Sequence, residues 1–158
     1  MRIDSSDAMR ALGERLAQYV SAGDLITLSG ELGAGKTTLV QGLARGMNVA
    51  GRVTSPTFVI AHVHEGEVDL VHVDAYRLER IEDVDALDLD ASLDDSVTII
   101  EWGAGKTDSL SADRLLIDIV RPTGSAGLEP VDLAGDEPRE VTISGTGKRS
   151  RAIAEALA

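Results

Sequence analysis

The 158-residue sequence has no cysteine, which excludes disulfides, thiolate metal centres and cysteine nucleophiles. It is also short of basic residues, with 15 Lys and Arg against 27 Asp and Glu and a net charge of −12. Binding to a phosphate backbone through counterion release requires Lys and Arg contacts, so direct nucleic-acid binding is not expected of this surface. No apolar run approaches the roughly 18 residues of a membrane span. The opening stretch, MRIDSSDAMRALGERL, has no apolar core followed by a small-residue cleavage site. The expectation is a cytoplasmic protein with no membrane association. No repeat period and no linker divides the chain, and its length suits one domain over residues 1–158 that folds without a metal or a covalent staple.

Apolar residues at Met9, Leu12, Leu16, Tyr19 and Val20 recur at helical spacing, with Ser5 or Ser6 at the start and Gly23 as the stop. Ser6 before Asp7 reads as the N-cap. Residues 24–29 (DLITLS) form a short, apolar, buried strand that runs into a glycine-rich turn, and a helix is expected from Lys36 to about Met47. Residues 57–64 and 68–76 read as two strands of a hairpin. Residues 79–95 hold eight acidic residues and one basic one, and Ile81, Val84 and Leu87 fall on one face, which describes an amphipathic helix with a solvated outer side. Residues 97–102 (VTIIEW) and 114–120 (RLLIDIV) are further strands, 122–138 a surface loop, 140–144 a last strand and 149–157 a last helix. Strands alternating with helices give an α/β fold, a central mixed β-sheet flanked by helices in three layers.

The chemistry is concentrated in Gly30-Glu31-Leu32-Gly33-Ala34-Gly35-Lys36-Thr37, followed by Thr38. This is the P-loop pattern, placed between a strand and a helix as the motif requires. Its glycines permit positive φ and close backbone approach, its N–H groups converge on an anion at a helix N-terminus, Lys36 reaches the β- and γ-phosphates, and the Thr37 hydroxyl can bind Mg²⁺. The plainer reading, a strand-to-helix turn that binds nothing, does not account for pattern and context together. Residues 103–107 repeat the letters GAGKT, but the first glycine of a full pattern would fall at Ile100. Gly105-Lys106-Thr107-Asp108 imitates a guanine-reading motif but has Gly where the base-contacting Asn belongs, so adenine is the expected base.

A P-loop needs a second, acidic partner for Mg²⁺ at the end of a nearby apolar strand. Asp74 and Glu101 both qualify, and either could bind the metal through water while the other orients the attacking water. His62, His64 and His72 sit on the expected hairpin, where zinc ligation is conceivable but has no supporting spacing. Trp102, the one tryptophan, is either a core anchor or a wall of the nucleotide pocket.

GELGAGKTT at 30–38, VTSPTF at 53–58, HVDAYRL at 72–78 and IEW at 100–102 occur together in one order. Over roughly residues 5–120 this combination resembles the TsaE family, formerly YjeE, small bacterial P-loop ATPases of tRNA threonylcarbamoyladenosine synthesis. The resemblance implies ATP or ADP and Mg²⁺ as cofactors, with Lys36 and Thr37 at the phosphates and Asp74 as the second carboxylate on the metal side. It further implies that Thr57 lies in a switch-like loop sensing the γ-phosphate and that Glu101 positions water beside Trp102. The implied partners are the TsaD and TsaB proteins, which stimulate hydrolysis and whose complex is reset between turnovers, with tRNA met only through that complex.

Two other functions fit a P-loop chain. A small-molecule kinase would need a lid with arginines, and between residues 103 and 138 only Lys106, Arg114 and Arg121 are basic. A nucleotide-dependent binding module without turnover would not need Glu101. Lys148, Arg149 and Arg151 form a small basic cluster that reads as a solvated helix start or, less economically, as a contact to tRNA or an acidic partner.

Overall fold

The computed structural model describes residues 1–54, 61–76, 89–121 and 137–158. Ser5 opens the first helix: its backbone is extended and its hydroxyl accepts the Ala8 N–H at 3.1 Å, so Ser5 rather than Ser6 caps α1 (Ser6–Ala17). The helix ends six residues before Gly23, because the Gln18 N–H turns back to the Arg15 and Leu16 carbonyls and the Asp24 carboxylate closes a turn on the Ser21 N–H. Tyr19 consequently lies on the surface rather than continuing the buried stripe.

A short strand missed by the sequence reading, β1 (Arg2–Ile3), precedes α1. The remaining elements are β2 (Leu25–Gly30), α2 (Lys36–Gly46), β3 (Ala61–His64), β4 (Asp69–Asp74), α3 (Asp90–Leu93), β5 (Ser96–Glu101), β6 (Arg114–Val120), β7 (Arg139–Gly145) and α4 (Lys148–Leu157). They build one seven-stranded sheet in the order β1-β7-β6-β2-β5-β4-β3. The four strands β6, β2, β5 and β4 are parallel, and β1, β7 and β3 add antiparallel edges. The sheet is mixed, as expected, and β3 with β4 forms the expected hairpin. The amphipathic helix read into residues 79–95 lies largely outside the described residues, as does most of the 122–138 loop.

Alternation along the strands divides the apolar residues between two faces. Ile26, Leu28, Ile99, Leu115 and Ile117 share a core with Met9, Leu12 and Leu16 of α1, Leu39, Val40 and Leu43 of α2, and Ile153 and Leu157 of α4. On the other face Leu25, Val71, Val73 and Ile100 pack with Leu89 and Leu93. The helices α1 and α2 cross where both carry glycine. A Cβ on Gly42 would stand 2.0 Å from the Arg10 carbonyl oxygen, and one on Gly13 would stand 2.3 Å from that of Leu39. Backbone thus meets backbone at the crossing, and this fixes α2, whose first residues belong to the phosphate loop.

At the C-terminus two of the three basic residues, Arg149 and Arg151, serve the chain itself. Arg149 bonds the Asp24 carboxylate and the Tyr19 carbonyl, and Arg151 bonds the carbonyls of Gly145 and Thr146. The Asp113 carboxylate accepts the first free N–H groups of α4, those of Arg149 and Ser150, each at 2.9 Å.

Candidate nucleotide site

The carboxyl ends of β2, β5 and β4 lie side by side. Leu28 pairs with Glu101, and Glu101 with Asp74, so the phosphate loop and both candidate carboxylates open on the same edge of the sheet. In open α/β sheets that edge is where ligands bind. The loop itself follows from its glycines: φ is +144° at Gly30, +77° at Gly33 and +110° at Gly35, the last being the N-cap of α2. Among the described residues no side chain caps α2, and no acidic residue stands in its first turn, which leaves that end open to an anion.

A cleft of about 440 Å³ is lined by Leu32, Gly33, Gly35, Lys36, Thr37, Thr38, Asp74, Tyr76, Glu101 and Trp102. Of the residues expected at the site, only Gly30, Glu31 and Ala34 among the described ones are not part of that lining. Gly30 and Glu31 turn their carbonyls to the Lys36 ammonium, at 2.8 and 2.9 Å, while Ala34 is buried and accepts a bond from Arg139 at 3.1 Å. Thr57, and with it Arg77 and Leu78, falls outside the described residues.

Lys36 is almost wholly buried, and burial lowers its pKa, against the opposing pull of Glu101 and then Asp74. An ammonium carries three protons. Two carbonyls accept from it, and the Trp102 ring centroid lies 3.9 Å from Nζ, a cation–π contact. Trp102 reaches that position through an unusual backbone: its N–H extends the ladder to the Leu28 carbonyl at 2.9 Å, and its φ of +61° then swings the ring over the loop. A left-handed conformation in a bulky residue costs of order 1–3 kcal/mol. The ring is a wall of the cleft, at a centroid distance of 4.9 Å from Tyr76.

The Thr37 hydroxyl donates to Oε1 of Glu101 at 3.1 Å, and Nε2 of His72 lies 2.8 Å from the same oxygen. Asp74 accepts the Tyr76 N–H on Oδ1 at 2.9 Å. A hydroxyl and two carboxylates beside a phosphate loop fit the hard, oxygen-seeking Mg²⁺, which keeps waters and takes only one or two protein carboxylates. His62 stacks on His64 with ring centroids 4.5 Å apart, and His64 bonds the Ala50 backbone. The repeated GAGKT letters have structural uses: Lys106 donates to the Ala75 carbonyl, and buried Thr107 pairs its hydroxyl with that of Thr27.

Three contributors are not apparent from the sequence pattern. Tyr76 belongs to the HVDAYRL motif, which does not show that it walls the cleft. His72 had a signal, since two residues before Asp74 on a strand means the same face. Arg139 had none, because its bond to the loop spans 105 positions.

The family model described as "Threonylcarbamoyl adenosine biosynthesis protein TsaE" matches residues 3–126. A tRNA threonylcarbamoyladenosine biosynthesis protein TsaE from Streptomyces coelicolor is 54% identical over 145 residues, 89% of this chain and 93% of its own. The protein of the same name from Bacillus subtilis is 34% identical over 158 residues, 99% of this chain and 91% of its own. The crystal structure of Bacillus subtilis YdiB superposes with a TM-score of 0.77 at 30% identity, covering 99% of this chain and 91% of that one.

Proposed function

This chain belongs to the TsaE family, and from that premise we propose that it is the P-loop ATPase subunit of the tRNA threonylcarbamoyladenosine machinery, hydrolysing Mg-ATP when the TsaB–TsaD complex engages it. The observation that carries the ATPase reading is the Thr37 hydroxyl seated on the Glu101 carboxylate next to the buried Lys36 in one cleft. Phosphoryl transfer asks a protein mainly for positioning and charge neutralisation. The N–H groups of the loop and the α2 terminus hold the phosphates, and Lys36, kept in place by two carbonyls, adds a fixed positive charge. The Trp102 ring over the ammonium keeps water from one side of it, which strengthens its field.

Thr37, Asp74 and Glu101 would hold Mg²⁺, which supplies neutralisation of the phosphate charge when bound. Among the described residues both hydrogen bonds on the Glu101 carboxylate fall on Oε1, which leaves Oε2 to orient a water. Thr57 is assigned the γ-phosphate-sensing role by family resemblance. The −12 charge supports a subunit that meets proteins in the cytoplasm and tRNA only through them. Hydrolysis resets the TsaB–TsaD complex between turnovers. The test is phosphate release by Glu101→Gln in the presence of TsaB–TsaD. Loss of turnover with nucleotide affinity retained is expected, and unchanged turnover would remove Glu101 from the chemistry.

A further inference from the structure

We infer that His72 is a positioning residue for Glu101, holding the carboxylate by Oε1 so that Oε2 faces the attacking water. The inference rests on the role given to Glu101 above. β4 alternates its side chains, so His72 and Asp74 leave the same face, and the register sets Asp74 opposite Glu101 and His72 opposite Ile99. The imidazole is fully buried and Glu101 nearly so, with Nε2 and Oε1 separated by 2.8 Å.

The proton between them can be located by accounting. Oε1 already accepts the Thr37 hydroxyl, so it acts as an acceptor toward His72 as well, and Nε2 carries the hydrogen. Nδ1 is buried without a hydrogen-bond partner among the described residues. An orphaned donor there would carry its full desolvation cost, which again favours the Nε2–H form.

Packing alone does not call for an imidazole at this position, since an apolar side chain would leave no buried nitrogen unpaired. The bond to Glu101 is what the imidazole contributes. Its importance grows when the site fills: the other donor on Oε1 is the Thr37 hydroxyl, and once that oxygen turns toward a cation, His72 is the bond that still fixes the carboxylate.

The test compares His72→Gln, His72→Asn and His72→Leu with wild type and Glu101→Gln, all as full chains. The Gln amide reaches about as far as Nε2, and the Asn amide stops near Nδ1. Turnover with TsaB–TsaD is expected to stay within about threefold of wild type for His72→Gln and to fall roughly 10- to 100-fold for His72→Asn and His72→Leu. Nucleotide affinity, read from Trp102 fluorescence, should change less than about threefold in all three, which places the loss on turnover rather than binding. In the ligand-free wild type, ring ¹⁵N shifts of His72 should report the Nε2–H tautomer.

Equal activity of the Asn and Gln variants, a loss carried by affinity, or an Nδ1–H tautomer would overturn the inference. The two amides are alike in polarity, so their comparison holds even where the Leu variant folds poorly. An inactive wild type overturns the role of Glu101 and this inference together. An active wild type with inactive Glu101→Gln and unaffected His72 variants overturns this inference alone.

Discussion

Replacing Gly42 with Ala sets two effects of opposite sign against each other. Glycine inside a helix is about 1 kcal/mol worse than alanine, so on propensity alone Gly42→Ala should stabilise α2. The new Cβ, however, would stand 2.0 Å from the Arg10 carbonyl oxygen and 2.7 Å from its carbon, both backbone atoms that no side-chain rotation can move. Ordinary contact begins near 3.4 Å, so α1 and α2 must separate by more than an ångström. That loosens Met9, Leu12 and Leu16 against Leu39 and Leu43. Overpacking of this kind costs about 1–3 kcal/mol, and backbone-on-backbone contact puts the case at the upper end. Net of propensity, destabilisation of about 2 kcal/mol follows, which in a domain of this size lowers Tm by roughly 4–8 °C. Thermal unfolding followed by circular dichroism reads the change directly. A Tm equal to or above wild type would refute the close crossing of α1 and α2, and with it the account of how the phosphate loop is held.

Lys36→Ala removes the ammonium held by Gly30 and Glu31. Loss of a charge-assisted bond to phosphate is worth about 1.5–3 kcal/mol, so ATP affinity measured by calorimetry should fall roughly 10- to 150-fold, and an unchanged affinity would count against the site. Asp74→Asn keeps the acceptor for the Tyr76 N–H but loses a negative charge at the cleft, so Mg²⁺-dependent hydrolysis should suffer more than nucleotide binding. The reverse order, measured by phosphate release and titration, would contradict it. Burial, with His62 and His72 nearby, holds the His64 imidazole below its ordinary value of 6.5, so below that value the unfolded chain binds more protons and stability falls with falling pH. Urea midpoints at about pH 7.5 and about pH 5.5 should therefore differ less in His64→Gln than in wild type.

The elements legible in the sequence are those with a local cause. The phosphate loop was readable because glycine, lysine and threonine at fixed spacing admit one geometry. The strand Arg114–Val120 was readable because five Leu, Ile and Val residues, interrupted only by Asp118, leave few alternatives. The limits of α1 were not, because a turn closed by the Asp24 carboxylate cuts the helix short while the apolar spacing runs on to Tyr19 and Val20. Strand β1 is two residues long and exists only through its pairing with Glu140 and Arg139, far along the chain. At the site, period-2 alternation put Asp74 and His72 on one face. What it could not supply was the register of β4 against β5, which brings the imidazole to Glu101. The place of Trp102 was likewise open, since a positive φ at a tryptophan is set by its surroundings and not by its own preference.

Partner-controlled ATP hydrolysis in this cleft, the function proposed above, is put to the test by phosphate release from Mg-ATP, measured for the purified chain alone and with TsaB–TsaD added, with no small-molecule acceptor present. Slow release alone and strong stimulation by the complex are expected. Release that ignores TsaB–TsaD, with turnover appearing only when a hydroxylated metabolite is supplied, would contradict that function and make the chain a kinase.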